Sequence, residues 1–295
     1  MKRLSIVILS FNTKDYLYKC LQSIFKQAKI DWEIVVVDNA SSDGSIEMVE
    51  RSFPQVKIIQ NNKNIGFAAG NNVALRAIES EYVMLMNADA ELLEGEYIEK
   101  LLKYLDEHKD IGILTPKIVM PNGNMDKSCH RGIPTPWNGL TYFSGLEKII
   151  GSIPGLSHMF GGYHQLWKNM DQEHEVDVCS AAAMVVRTQA MKLVGLLDER
   201  YFFYAEDIDW CVSFKEKGWK VFYYPQVKIL HYKWKAGQKK KAKTDQEKEI
   251  QKRAKSMFFD TMEEFYRKHY AKTYPKWFME FVLFGIRTVK KMKGA

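Results

Sequence analysis

The sequence predicts an α/β protein: a Rossmann-like, mainly parallel central sheet with helices on both faces, plus a helical extension at the C-terminus. Two observations predict it. Short β-branched runs alternate with helical spacings through the first hundred residues, and alternation at this length implies right-handed crossovers and a parallel sheet. The 295 residues, 46% hydrophobic and 27% charged, have the composition of an ordinary globular chain and the length for one or two domains.

The elements follow in order. Leu4–Leu9 is a short apolar run bounded by Ser10-Phe11-Asn12, and Asp15–Ala28 has helical spacing through Tyr16, Leu17, Cys20, Leu21, Ile24 and Phe25. Glu33–Val37 reads as a buried strand, and turn chemistry follows at Asn39-Ala40-Ser41-Ser42-Asp43-Gly44, where Ser42 or Asp43 can cap a helix over Ser45–Ser52. Val56–Ile59 is a third strand, Phe67–Glu79 a helix, Tyr82–Met86 a fourth strand, Glu96–His108 a helix and Ile111–Leu114 a fifth strand. Residues 116–176 concentrate proline and glycine and lose helical periodicity, the mark of a long functional loop. Patterning returns at Val176–Val186, with helices at Thr188–Val194 and Asp207–Lys217 and strands at Trp219–Tyr224 and Val227–His231. The expected organisation is one α/β domain over 1–231 that contains the irregular segment 116–176, a basic linker over 232–255, and amphipathic helices over 256–295.

Four scattered cysteines with no CxxC pair argue against a disulfide framework or a cysteine zinc site. The apolar start is cut short by Asn12, Thr13, Lys14 and Asp15, which disfavours a signal peptide. No uninterrupted apolar run reaches the ~18 residues of a spanning helix.

Three constellations carry chemistry. The first is the strand ending in Asp38 and the turn Asn39 to Ser45. Open parallel sheets bind ligands beyond the carboxyl ends of their strands, where a carboxylate such as Asp38 can accept a base N–H or a ribose hydroxyl. A dinucleotide site would want an acid there too, but the loop after the first strand, Ser10 to Asp15, has no glycine, and GxxxxGK[ST] is absent. The second is the apolar strand running into Asn87-Ala88-Asp89, a tip able to hold Mg²⁺ or Mn²⁺ by one or two oxygens while a diphosphate supplies the rest. The third is Tyr201-Phe-Phe-Tyr204-Ala-Glu206-Asp207-Ile-Asp209, three carboxylates opening a helix behind an aromatic run. Helix N-termini favour carboxylates, and an acid against an aromatic wall is well placed as a general base.

In this order and spacing the constellations resemble the family 2 glycosyltransferases of GT-A fold, over roughly residues 4–231. The resemblance includes Ser5 to Asn12, Asn64-Ile-Gly66-Phe67-Ala-Ala-Gly70-Asn71-Asn72, Asn87-Ala-Asp89 in the place of the DxD metal motif, and Gly195 to Asp209. The N-x-D motif and the FFY-x-EDxD run most resemble the rhamnosyltransferase-like branch that uses dTDP-L-rhamnose. The resemblance implies inverting transfer of a sugar to a hydroxyl of a lipid-linked saccharide or cell-surface polysaccharide precursor. It makes Asp207 the catalytic base and Asp89 the metal ligand, with Mg²⁺ or Mn²⁺ as cofactor. Ser10, Asn12, Asp38, Asn64, Gly66 and Asn87 fall on the donor-nucleotide side, and Glu206, Asp209 and Arg131 are acceptor-side or supporting residues. His231 is either a second metal ligand or a buried strand-end histidine. The sequence departs from the pattern at Asn87, which removes one charged ligand, at Ser180, where the branch often has glycine, and at His231 to Gly237, where the spacing differs. A UDP-sugar donor is the alternative on the same fold.

The net charge of +7 is uneven. Residues 229–295 hold 18 Lys/Arg against 7 Asp/Glu, a balance of +11, and residues 1–228 hold 25 against 29, a balance of −4. A basic tail points to an anionic partner. The helix over 274–295 carries Trp277, Phe278, Phe281, Val282, Ile286 and Val289 on one stripe with lysines beside it. That reads as an interfacial anchor at the cytoplasmic face of a membrane, with packing on the body or a homodimer as the alternative. Nucleic acid is disfavoured as a partner, because the body is acidic and contains no recognised nucleic-acid module.

Overall fold

The computed structural model describes residues 2–27, 31–93, 97–233 and 245–294. In chain order the elements are β1 (Leu4–Ser10), α1 (Lys14–Phe25), β2 (Trp32–Asp38), α2 (Ser45–Ser52), β3 (Lys57–Gln60), α3 (Phe67–Leu75), β4 (Tyr82–Asn87), β5 (Ala90–Leu92), α4 (Tyr97–Glu107), β6 (Ile111–Val119), a 3-10 turn (Lys127–Cys129), α5 (Pro136–Phe143), α6 (Leu146–Ile150), α7 (Ser157–Phe160), β7 (His174–Val176), β8 (Ala183–Arg187), α8 (Thr188–Val194), α9 (Glu206–Glu216), β9 (Lys220–His231), α10 (Asp245–Tyr270) and α11 (Lys276–Met292).

One sheet runs in the order β3-β2-β1-β4-β8-β6-β9-β5, and β7 pairs with β9. The first four strands are parallel. The interiors of β1, β2 and β4 are nearly continuous buried Val, Ile, Leu and Met, as expected of strands covered on both faces, whereas β3 at the sheet edge is half-buried to exposed. Right-handed crossovers put α1 and α2 on one face and α3, which returns the chain to the other side of β1, on the opposite face. The parallel expectation holds for this half. In the other half β8 lies antiparallel between β4 and β6, and only β6 and β9 pair in parallel. The sheet is therefore mixed.

Local chemistry explains the element boundaries. α1 buries Leu17, Cys20, Leu21 and Ile24, the i, i+3, i+4, i+7 face of an amphipathic helix. Neither Ser42 nor Asp43 is the N-cap of α2, which is Gly44 at φ 79°. Asp43, one residue earlier, accepts the Ser45 N–H on Oδ1 at 3.1 Å and the Ser45 hydroxyl on the same oxygen, and its Oδ2 accepts the Lys14 N–H at 2.8 Å, so one side chain takes the first N–H of two helices. Burial would raise the Asp43 pKa, but these bonds outweigh it and hold the carboxyl below its usual range.

Three expected elements differ. The two strands expected over Trp219–Tyr224 and Val227–His231 are one, β9, with a register shift against β6 near Pro116. The segment 116–176 is partly regular: β6 runs on to Val119 and three short helices follow. The expected linker 232–255 is overtaken by α10 from Asp245, and residues 234–244 lie outside the described residues.

The main core fills both sides of the sheet. A second core joins α9 to the C-terminal helices through Tyr201, Val212, Phe259, Phe265, Tyr266, Met279 and Leu283. The four cysteines are buried and free.

Candidate active site

The rim is built from the carboxyl ends of the parallel strands. Register sets Ser10 beside Asp38 and Leu9 beside Asn87, so the ends of β2, β1 and β4 are in line. Asp38 is buried. Its Oδ2 accepts the Ser41 N–H at 2.8 Å, whereas Oδ1 is buried without a hydrogen-bond partner among the described residues. A buried carboxylate oxygen left open is costly unless something else fills it. The loops around it are cross-braced. Asn12, at a left-handed φ of 53°, accepts the Ser42 N–H on Oδ1 at 2.8 Å, and Ser10 Oγ lies 2.9 Å from Thr13 Oγ1. Asn39, which the sequence reading treated only as a turn residue, is the hub: its amide donates to Asn64 Oδ1 at 3.2 Å and to the Gly66 carbonyl at 3.1 Å, and its Oδ1 accepts from Asn61.

Gly66 is required by close approach. It has φ +89°, and a Cβ there would lie 2.5 Å from the Phe202 carbonyl oxygen. That same oxygen accepts the Phe67 N–H at 2.7 Å. The contact seats the 201–205 aromatic loop on the start of α3.

The second cluster lies at the tips of β4 and β9. Asp89 is buried, and its Oδ1 is 3.2 Å from His231 Nε2. That nitrogen is 3.3 Å from the Asn87 carboxamide. His231 Nδ1 faces Asp126 Oδ2 at 3.4 Å, and Lys233 donates to Asp126 Oδ1 at 2.7 Å. Burial alone would lower the His231 pKa, but Asp126 and Asp89 push it up to about 9. Burial would raise Asp126, yet His231 and Lys233 hold it well below the carboxylate range. Asp126 carried no sequence signal: it is a lone acid in an irregular loop, and only β9 brings it to His231.

The third cluster opens α9. Tyr204 and Ala205 both take left-handed backbone, at φ 75° and 67°. Such non-glycine residues cost roughly 1–3 kcal/mol each and gather at functional sites. The turn they make presents Glu206 and Asp207. Arg131, fixed by reciprocal backbone bonds with Val178, donates from Nη2 to Asp207 Oδ2 at 3.0 Å, while Asp207 Oδ1 accepts the Ile208 N–H at 2.8 Å. Glu206 is buried, and its Oε2, like Arg131 Nε, has no partner among the described residues. Burial, then the Asp207 charge, push the Glu206 carboxyl up to about 8. A carboxyl shifted up in this way keeps its proton to higher pH than a free glutamate. The loop before β8 links this cluster to the strand ends, since the Asn87 N–H donates to the Ala182 carbonyl at 3.0 Å and Arg131 Nη2 reaches the Cys179 carbonyl at 3.4 Å.

Asp209 lies on another face of α9. Two positions along a helix is roughly 200° around it, so Asp209 points away from Asp207. It is buried, takes His269 Nε2 at 2.7 Å and Lys268 Nζ at 2.7 Å, and lies 3.3 Å from the Tyr201 hydroxyl. Asp209 anchors α10 to α9, a supporting role.

Among the described residues no group of three or more His, Cys, Asp and Glu forms a ready metal cage. Asn87, Asp89 and His231 nevertheless place a carboxamide, a carboxylate and an imidazole together, a donor set that suits a hard divalent cation completed by phosphate oxygens.

Comparison with known proteins bears on this arrangement. The family model described as Glycosyl transferase family 2 matches residues 5–168. A Mycobacterium tuberculosis protein, N-acetylglucosaminyl-diphospho-decaprenol L-rhamnosyltransferase, is 25% identical over 241 residues, covering 78% of this chain and 76% of its own. Among solved structures, the Pyrobaculum calidifontis mannosyltransferase in complex with GDP-Man and Mn²⁺ superposes with a TM-score of 0.54 at 18% identity, over 80% of this chain and 59% of that one. Residues 1–349 of S. aureus TarS give a TM-score of 0.54 at 18% identity, over 87% and 65%. This chain spans less than two thirds of both solved chains, and the likeness to them is one of fold. The matched family segment begins in β1, passes the strand ends at Asp38 and Asp89, and reaches into the helical segment beyond Arg131; the chain belongs to glycosyl transferase family 2 and has the GT-A fold.

Proposed function

We propose that the protein is an inverting transferase that moves a sugar, foremost L-rhamnose from dTDP-L-rhamnose, onto a hydroxyl of a lipid-linked saccharide. One observation supports the reading above all: the register ends β1, β2 and β4 together at Ser10, Asp38 and Asn87, and the Phe67 N–H on the Phe202 carbonyl ties the loop before Asp207 to the start of α3. The likeness to the mycobacterial rhamnosyltransferase supports the choice of sugar and acceptor class.

In this reading each residue has a defined task. Asp38 Oδ1 accepts a base N–H or ribose hydroxyl of the donor, which supplies the partner it lacks. Asn12, Asn39 and Asn64 hold the loops around the nucleotide. Asp89 and Asn87, with His231, would hold Mg²⁺ or Mn²⁺ once its proton is displaced. Such an ion, when bound, offsets charge on the departing diphosphate. The acceptor oxygen bonds to the anomeric carbon as that carbon's bond to the diphosphate oxygen breaks, and the hydroxyl proton passes to Asp207. Arg131 fixes the Asp207 carboxylate in place. Glu206, held neutral, does not compete for the acceptor proton.

The test is a panel of dTDP-, UDP- and GDP-sugars, measured for metal-dependent binding and for transfer to a polyprenyl-diphosphate saccharide. Transfer from dTDP-L-rhamnose above all others is expected. Productive transfer only from another donor would overturn the choice of sugar, and no transfer or donor hydrolysis with any sugar nucleotide would overturn the activity. A UDP-sugar is the second reading, because an acceptor carboxylate at Asp38 recognises the N3–H shared by uracil and thymine.

A further inference from the structure

Helix α11 is apolar on two opposite faces. The inner face, Met279, Leu283 and Ile286, is buried against α10 in the second core. The outer face carries Trp277, Phe281, Phe284 and Met292, with 74%, 70%, 66% and 80% of their surface exposed. At about 100° per residue these four fall within a sector of roughly 80°, centred roughly 180° from the inner face. The sequence stripe therefore divides: Val282, Ile286 and Val289 pack inward, Phe278 lies against the Tyr274 ring at 5.1 Å, and Trp277 and Phe281 face out beside Phe284. A helix that needed only to pack on its own protein would have polar residues on this side. A contiguous row of exposed aromatics marks an interaction site.

Charge identifies the partner. Arg287 and Lys290 are engaged by Glu263 and Asp260 on α10, which leaves Lys276, Lys291 and Lys293 without an acidic partner among the described residues. Lys291 borders the aromatic row, on the same edge as Glu280, which is itself paired with Arg267 at 3.9 Å, and Lys276 and Lys293 stand at the two ends of the helix. Lys293 lies over the Phe143 ring at 5.5 Å, so the end of α11 meets α5, which is followed by more outward apolar side chains at Ile149 and Met159. Aromatic side chains on one face, with Lys291 at its border and Lys276 and Lys293 at the helix ends without an acidic partner among the described residues, fit a lipid interface with anionic headgroups. No helix among the described residues is long and apolar enough to cross a membrane. We infer that the outer face of α11 lies on an anionic membrane surface, with Trp277, Phe281 and Phe284 in the headgroup layer and Lys276, Lys291 and Lys293 on lipid phosphates. The clamp from Lys268 and His269 to Asp209 on α9 then fixes the tilt of the rim relative to that surface.

Flotation of the full chain with phosphatidylglycerol-containing vesicles tests this without any nucleotide or sugar, so it is independent of the proposed reaction. The wild type should float with anionic vesicles far more than with pure phosphatidylcholine. The triple variant Trp277→Ser/Phe281→Ser/Phe284→Ser should lose most of that binding at every salt concentration. Lys276→Glu/Lys291→Glu should weaken it about tenfold or more on anionic vesicles only. These side chains are exposed, so unfolding midpoints should match wild type, and only variants that keep the midpoint are compared. Unchanged flotation of both variants would overturn the inference. So would a wild-type dimer, without vesicle binding, that the triple variant abolishes, since a second copy would then cover the face.

Discussion

The two halves of the sheet assemble their chemistry differently. In the first, four parallel strands deliver Ser10, Asp38 and Asn87 side by side, because neighbouring strands in register end together. In the second, an antiparallel strand interrupts the series, and Asp126, Arg131, Asp207 and His231 arrive from separate loops and strand ends. A repeated βα unit produces a ligand crevice through its topology. The irregular half must brace each side chain individually, which is why its groups stand in ion pairs: Arg131 with Asp207, His231 with Asp89 and Asp126.

If the halves divide the work into donor and acceptor tasks, variants should separate accordingly. Asp207→Asn should lower turnover by roughly 10²–10⁴-fold while nucleotide affinity stays near wild type; turnover close to wild type in the folded variant would refute Asp207 as the base. Asp209→Ala, one helical step away, should act through the fold. Leaving Lys268 and His269 without this buried partner should cost about 3 kcal/mol in urea unfolding. An unchanged unfolding midpoint would show that the α9–α10 clamp bears no load. Asp89→Ala should weaken nucleotide-diphosphate binding at least about tenfold and remove its sensitivity to chelators. Identical titrations with and without chelator in the wild type would strike Asp89 from the metal site.

A pH-dependent effect belongs to Glu206. Its carboxyl is pushed up in the folded protein from 4.5 to about 8. Between those values the unfolded chain releases a proton that the folded chain keeps, so this group makes folding less favourable as pH rises through the window. Below pH 4.5 both states are protonated and the penalty vanishes. Glu206→Gln should therefore flatten the decline in melting temperature between pH 5 and pH 8.5, and parallel declines in variant and wild type would count against a neutral Glu206.

What could be read from the sequence followed from periodicity. Ser45–Ser52 and Thr188–Val194 appear with the expected limits, and Asp38 could be placed at a strand end because Glu33 to Val37 leaves little doubt about where the strand stops. β5 was missed, because three residues, Ala90–Leu92, are too few to show alternation. β8 could be seen as a strand, but its direction is set by pairing with β4 and β6, which no local pattern encodes. The helices of residues 136–160 were hidden because each is at most eight residues long and glycine intervenes. Asp209 was grouped with Asp207 by proximity in the chain, although the helical angle between them already placed it on another face. Asp126 required the fold itself.

The seat of Phe202 on Gly66 and Phe67 has a consequence for the order of ligand binding. The loop proposed to hold the nucleotide and the loop that presents Asp207 share one carbonyl oxygen, which the Phe67 N–H reaches at 2.7 Å, and no methyl group fits between them at Gly66. Neither loop can shift without the other. Linkage then requires reciprocity: whatever factor the nucleotide contributes to acceptor affinity, the acceptor returns to the nucleotide. We expect that factor to exceed one and to fall toward one in Gly66→Ala, in which the added carbon pries the loops apart. Isotherms taken in both orders of addition would measure it twice, and a factor of one in the wild type would mean that the two loops touch without communicating.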